Sequence, residues 1–185
     1  MLTAIDSFDK SIIRWVDSIS FPPVIDSLFQ LVSRIAYEVA IWLVFAAIVF
    51  VFTRNKIPAI AMVCSLIIAF VLVQDVIKPL IERPRPYNVI ENLNLLVATR
   101  DTSSFPSGHT TGAVAAAVTF FRLSKSNLRY GLIVFAWLVA VSRVYLKMHY
   151  VTDVLAGIAL GFGIGLLVSL LVRKWLERYR RSRHA

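Results

Sequence analysis

Residues 154–172 read VLAGIALGFGIGLLVSLLV, nineteen positions without a charged side chain. A helix needs about 20 such residues to cross the hydrocarbon core of a bilayer. Residues 57–74, IPAIAMVCSLIIAFVLVQ, form a second uncharged run of eighteen. Shorter runs occupy 39–53, 102–121 and 130–142. Extended to spanning length, the five runs predict transmembrane helices over about 36–54, 57–80, 107–123, 128–147 and 151–173. The extensions take ionisable residues, among them Glu38 and Arg143, to the edge of the membrane. Composition agrees: 58% of the 185 residues are hydrophobic, 17% are charged and mean hydropathy is +0.72. A soluble globular domain is nearer half apolar and a quarter charged. The expected fold class is all-α, a polytopic transmembrane helix bundle.

The first third of the chain differs. Leu2, Ile5, Phe8, Ile12, Ile13, Trp15 and Val16 recur at helical spacing among Asp and Lys, which predicts an amphipathic helix at the membrane interface. Pro22 and Pro23 break it, and a second short helix follows to Arg34. No apolar signal-peptide core is expected here, because charged residues interrupt the first twenty positions. The expected organisation is interfacial helices over 1–35, a membrane bundle over 36–173 and a basic tail over 174–185. Gly157, Gly161 and Gly165 are spaced by four on the last span. Such spacing lets helices approach closely, and packing inside the bundle is expected ahead of a dimer interface.

The net charge of +9 would suggest nucleic acid in a soluble protein. Its distribution points instead to topology, and no nucleic acid partner is expected. With alternating spans, one side holds Arg54, Lys56, Arg122, Lys125, Arg129, Arg173, Lys174, Arg178, Arg180, Arg181 and Arg183 against one acid, Glu177. Glu82, Glu91 and Asp101 lie on the other. The positive-inside rule assigns the basic side to the cytoplasm and the loop 81–106 to the outside. Cys64 lies in an apolar run and has no intrachain partner for a disulfide.

The chemistry-bearing residues gather at the outer ends of spans. Lys78 ends the second, with Arg83-Pro84-Arg85-Pro86 after it. Ser107-Gly108-His109 opens the third, Arg143 and His149 close the fourth, and Asp153 opens the fifth. Ionisable groups at membrane level are functional candidates by default. Three cations, a hydroxyl and the N–H groups of a helix start make an anion pocket, and guanidinium forks suit phosphate. Two histidines offer a nucleophile and a general acid. Asp153, one helical turn after His149, is placed to hold the imidazole as in triad logic. Cys64 stands alone and His184 lies in the basic tail, so no metal-ligand spacing occurs. The chemistry that fits is metal-free phosphoryl transfer through a phosphohistidine. A polytopic anion or lipid transporter is the alternative, but it would place polar groups near mid-membrane, where these spans are apolar.

Lys78 with Arg85-Pro86, Pro106-Ser107-Gly108-His109, and Ser142-Arg143 followed by His149 and Asp153 resemble the three signature motifs of the type 2 phosphatidic acid phosphatase superfamily. The resemblance covers about 39–172, and the motifs show no departure from the pattern. It implies that His149 is the nucleophile, Asp153 its orienting carboxylate and His109 the acid that protonates the leaving oxygen. It implies a phosphate cradle of Lys78, Arg85, Ser107, Gly108 and Arg143, with no cofactor. Arg83 lies outside the pattern, with substrate or lipid headgroups as its expected contact. Membrane lipids and a lipid phosphate are the implied partners: undecaprenyl pyrophosphate, lipid A 1-phosphate, phosphatidylglycerophosphate or phosphatidate. Bacterial members place such a protein in the inner membrane, with its active site on the periplasmic or extracellular face. A cysteine introduced into 174–185 is therefore expected to escape an impermeant thiol reagent in intact cells and react once the membrane is opened. Labelling in intact cells would reverse the topology.

Overall fold

The computed structural model describes residues 2–37, 39–52, 55–99 and 103–184. Glu38, Arg54 and Asp101, which entered the span and charge readings, lie outside the described residues. The chain is a polytopic helix bundle. α1 (Leu2–Ser18) and α2 (Pro23–Tyr37) lead into α3 (Val39–Phe52). α4 (Ile57–Val71) runs without a break into a π-helical turn, Leu72–Ile77, and then α5 (Lys78–Ile81). α6 (Pro86–Val89) is one turn inside the outer loop. α7 (Gly108–Leu123), α8 (Leu128–Tyr145) and α9 (Val151–His184) complete the bundle. Pro23 and Pro86 each open a helix, where a missing N–H removes no intrahelical bond.

Among the described residues, three stretches are long and apolar enough to cross a membrane: Ile57–Val89, Leu128–Tyr145 and Val151–Arg183. Trp42–Val51 in α3 is apolar but shorter. α9 differs from the sequence reading. It does not stop near 173 but continues through the basic tail for 34 residues in all. At 1.5 Å per residue it is about 50 Å long, against a hydrocarbon core of about 30 Å.

α7 is the central element, packed against α4, α8 and α9. Its residues are small, and Thr110, Thr111, Ala115, Ala116, Ala117 and Thr119 have no exposed surface. Trp42, Ala46 and Val49 of α3, Met62 and Leu66 of α4, and Leu132, Ala136 and Val139 of α8 enclose one side of it. Ile164 and Val168 of α9 close the other against Ala61, Ala69 and Ala115. The outward surfaces carry large apolar side chains such as Ile67, Phe70, Trp137, Leu155 and Phe162, as lipid-facing surfaces do.

The glycine stripe is spent inside the molecule. A Cβ on Gly157 would lie 2.9 Å from the Ser107 carbonyl oxygen, on Gly161 2.5 Å from that of Thr111, and on Gly165 2.8 Å from that of Ala115. α9 therefore touches the α7 backbone at three successive turns. Gly163 points into open space. Gly161→Ala is expected to overpack this contact, at a cost of about 1–3 kcal/mol, while Gly163→Ala is neutral. Melting of the two variants in detergent checks the contrast.

Candidate active site

The site is built at one end of the bundle, from α5, the end of α8 and the starts of α7 and α9, as the motif positions suggest. α8 ends in a tight turn in which Met148 and His149 N–H groups both donate to the Arg143 carbonyl, at 3.0 and 3.2 Å. Lys147 takes a left-handed conformation, φ 58°, to make that turn. The turn drops His149 into the interior, 2% exposed.

The imidazole is oriented differently from the expected carboxylate pair. His149 Nδ1 lies 2.7 Å from the Ser104 carbonyl oxygen. A carbonyl only accepts, so Nδ1 carries the proton and Nε2 keeps its lone pair. Asp153 Oδ2 is 3.8 Å from Nδ1, within ion-pair reach but beyond a hydrogen bond. It binds the Ser104 hydroxyl instead, at 2.5 Å, and that hydroxyl is 3.4 Å from Nδ1. Ser104 thus stands between carboxylate and ring. Its hydroxyl and carbonyl are both used, which sequence spacing around His149 and Asp153 had no means of showing.

Asp153 is itself fully buried. Its Oδ2 accepts the Tyr150 N–H at 2.9 Å, closing the first turn of α9 as a capping-box acid does. Its backbone carbonyl accepts the Ser107 N–H at 3.1 Å, which joins the starts of α7 and α9. Its Oδ1 accepts from Arg83 Nη1 at 2.5 Å. Arg83, for which substrate or headgroups were the expected contact, has carboxylates as its partners within the protein. It is engaged with Asp153, and also with Asp9 of α1 at 2.8 Å. Burial works against its charge, and the bonds to the two carboxylates more than offset that, so its pKa is raised. Asp9 is the residue that sequence reasoning missed. It was counted among the polar residues of an amphipathic helix, yet it is fully buried.

Lys78, Arg85, His109 and Arg143 divide between two cavities. One, of about 800 Å³, is lined by Arg85, His109, Arg143, Met148 and His149, with Ser33 and Arg34 of α2 and residues 95–99 of the outer loop. Arg85 Nη1 donates to the Met148 carbonyl at 3.1 Å and approaches His149 Nε2 at 3.5 Å. Arg143 donates to Ser142 Oγ at 3.2 Å. Lys78, buried, lines a neighbouring cavity of about 440 Å³ with Gln74, Arg83 and Ser103, within electrostatic reach of Arg85 and Asp153. The Ser107 hydroxyl is fully buried and shared with Thr110 Oγ1 at 2.9 Å. Gly108 opens α7, where an added Cβ would come within 3.1 Å of Gln74 Nε2. The structure thus brings His149, His109, Arg85 and Arg143 onto one cavity wall. Asp153 stands behind the ring, and Lys78, Ser107 and Gly108 lie beside them.

The comparisons with known proteins agree with this architecture. The PAP2 superfamily model matches residues 58–177, and the chain belongs to that superfamily. It is 35% identical over 127 residues to an undecaprenyl-diphosphatase of Sulfolobus acidocaldarius, covering 69% of this chain and 61% of that protein. It is 38% identical over 123 residues to phosphatidylglycerophosphatase B of Bacillus subtilis, covering 60% of this chain and 55% of that one. The match thus spans little more than half the length of these curated relatives. The crystal structure of a transmembrane PAP2 type phosphatidylglycerolphosphate phosphatase from Bacillus subtilis superposes with a TM-score of 0.76 at 27% identity, over 92% of this chain and 87% of that one. Aquifex aeolicus LpxE shares the fold, with a TM-score of 0.73 at 22% identity over 87% of this chain and 94% of that one.

Burial and the nearby Arg85 and Arg143 charges lower the His149 pKa from 6.5 to about 4, although Asp153 opposes them. The ring is therefore neutral at pH 7, as a nucleophile or base requires. Between pH 6.5 and about 4 the unfolded chain takes up a proton that the folded ring refuses. Stability contributed by this group is thus present above pH 6.5 and is lost as pH falls through that window, at up to about 1.4 kcal/mol per pH unit. Thermal melting between pH 4 and 7 is expected to decline toward acid, with a shallower slope in His149→Gln.

Proposed function

We propose that this protein is an integral-membrane phosphatase that removes the terminal phosphate of a lipid phosphate or diphosphate through a phosphohistidine at His149. The observation that carries the reading is the ring geometry. With Nδ1–H bound to Ser104 at 2.7 Å, the Nε2 lone pair faces the cavity beside Arg85. Nε2 attacks phosphorus as the bond from phosphorus to the lipid-side oxygen breaks. That oxygen takes a proton from His109 on the same cavity wall. Arg85 and Arg143, with Lys78 nearby, stabilise charge on the transferring group. Asp153, through Ser104, supports the imidazolium character the ring acquires. Water then attacks phosphorus, His109 removes its proton, the P–N bond breaks and inorganic phosphate leaves. The positive charges do the work that a metal ion does in other phosphoryl transfers, and the proposed reaction needs none.

A conduit is disfavoured by the packing beneath the site. Ala115, Ala116 and Ala117 of α7 are fully buried there, with α9 in backbone contact. The proposed topology has five spans, with α1 and α2 at the interface and the site on the outer face of a bacterial cytoplasmic membrane. The eleven-to-one charge asymmetry supports it. A substrate then reaches the cavity from the bilayer with its chain still in lipid. We place polyprenyl diphosphate first among the substrates. Arg34, on the cavity wall outside the motifs, adds a cation that a second phosphate would engage. Lipid A 1-phosphate comes next, then phosphatidylglycerophosphate and phosphatidate.

Rapid-quench labelling with a radioactive lipid diphosphate is expected to trap an acid-labile phosphoenzyme. His149→Ala should abolish it and lower turnover by roughly a thousandfold or more. Turnover should persist in excess EDTA. A phosphoenzyme at wild-type level in His149→Ala would refute the assignment, and Mg²⁺-restored loss in chelator would refute metal independence.

A further inference from the structure

We infer that Asp9 of the N-terminal helix is a positioning residue of the catalytic centre, acting on Asp153 through Arg83. The inference rests on the reading of His149 as nucleophile and of Asp153 as the carboxylate behind it.

The geometry is a closed chain. Arg83 Nη1 donates to Asp153 Oδ1 at 2.5 Å and to Thr152 Oγ1 at 2.8 Å. Its Nη2 donates to Asp9 Oδ2 at 2.8 Å. Asp9 Oδ1 accepts the Thr152 N–H at 3.2 Å, and its Oδ2 accepts the Thr152 hydroxyl. The guanidinium lies over the Tyr150 ring, 4.2 Å from its centroid. Both carboxylates have no exposed surface.

Each contact has a physical consequence. Asp9 satisfies a backbone N–H in the first turn of α9, an end that normally lacks intrahelical partners. It thereby caps from another helix the turn that carries Asp153. It also shares the charge of Arg83. Two buried carboxylates around one guanidinium leave a net negative charge beside the imidazole, whereas one carboxylate would leave none. A buried, hydrogen-bonded acid on an otherwise surface helix is expensive unless something uses it. Ile13, one turn further along α1, is also fully buried, against Ile90 and Tyr150. Lys147 binds Asp17 at 2.6 Å and fixes the far end of the helix. α1 is thus held at its middle and at its C-terminal end onto the segments that carry the site.

The sign on the ring follows from all charges that face it. Asp153 approaches from α9, Arg143 from α8 and Arg85 from the loop before α6. His109 on α7 and Arg34 on α2 line its cavity, and Lys78 reaches Asp153 from α5. These stay constant when Asp9 is made neutral. Arg83 then pulls on Asp153 alone, and Asp153 supports a protonated His149 less well.

The test uses the full chain in detergent with a lipid diphosphate, comparing Asp9→Asn, Asp9→Glu and Arg83→Lys. Asp9→Asn should lower kcat about tenfold, a loss of the size seen for outer-shell partners of catalytic groups, with KM within about twofold. Its acid limb should move to lower pH. Asp9→Glu keeps the ion pair and should recover most of kcat. Arg83→Lys keeps the cation but loses the fork that spans both carboxylates, so kcat should fall with the acid limb in place. If Asp9→Asn does not fold, Arg83→Lys against wild type carries the test, because a purely structural strut would lower melting without lowering kcat of the folded fraction. Asp9→Asn with unchanged kcat and pH profile, beside an inactive His149→Ala, would overturn the relay alone. Wild-type turnover in His149→Ala would overturn the reaction reading and the relay together.

Discussion

The structure depends on one buried carboxylate. Asp153 has no exposed surface, and an ionised group there must be met by donors from the protein. Two donors come from a distant part of the chain, Arg83 and the Ser104 hydroxyl in the loop 81–106, and the Tyr150 N–H comes from the turn just before α9. The residue's own carbonyl accepts from Ser107 at the start of α7. One residue therefore holds the three sequence motifs in register. The loop, 26 residues in the sequence reading, has little regular structure of its own beyond α6. Its path is set by what it must bring to this point.

The second constraint is how closely α9 lies on α7. Gly157, Gly161 and Gly165 let the two backbones meet, and the first of these contacts is with the Ser107 carbonyl, at the site itself. Membrane helices gain little from hydrophobic burial against one another, because lipid is equally apolar, so close van der Waals contact carries more of the association. The same stripe that joins the helices fixes the distance between the start of α7 and Asp153. Stability of the bundle and geometry of the site share one set of small residues.

The geometry of the candidate site also reaches into the N-terminal helices. Phe8 and Trp15 of α1 are exposed, as suits a helix at the membrane interface, while Asp9 and Ile13 face the protein. α2 contributes Ser33 and Arg34 to the cavity wall. These segments have no motif and a modest hydropathy, yet α2 lines the cavity and α1 bonds to the turn that carries Asp153. Tyr145 at the end of α8 is held there as well, its hydroxyl donating to Asp26 at 2.5 Å and its ring against Phe21 and Phe29.

The sequence by itself determined the helical bundle, because long uncharged runs have no other stable form in lipid. It also determined which residues gather at one end of the bundle, because Lys78, Arg85, Ser107, His109, Arg143, His149 and Asp153 stand at span ends at motif spacing. The start of α7 at Gly108 and the internal use of the glycine stripe were legible for the same reason: local backbone preference and small-residue spacing are written in adjacent residues. Partners far apart in the chain were not. Asp9 reads as one more polar residue on an amphipathic helix, and Arg83 as a cation near headgroups, until folding brings positions 9, 83 and 153 together. Ser104 carries no periodic signal, and it displaced Asp153 from the imidazole nitrogen because its carbonyl lies nearer. Hydrophobic pattern specifies which face of a helix is buried, but which buried donor meets which acceptor is decided by three-dimensional packing.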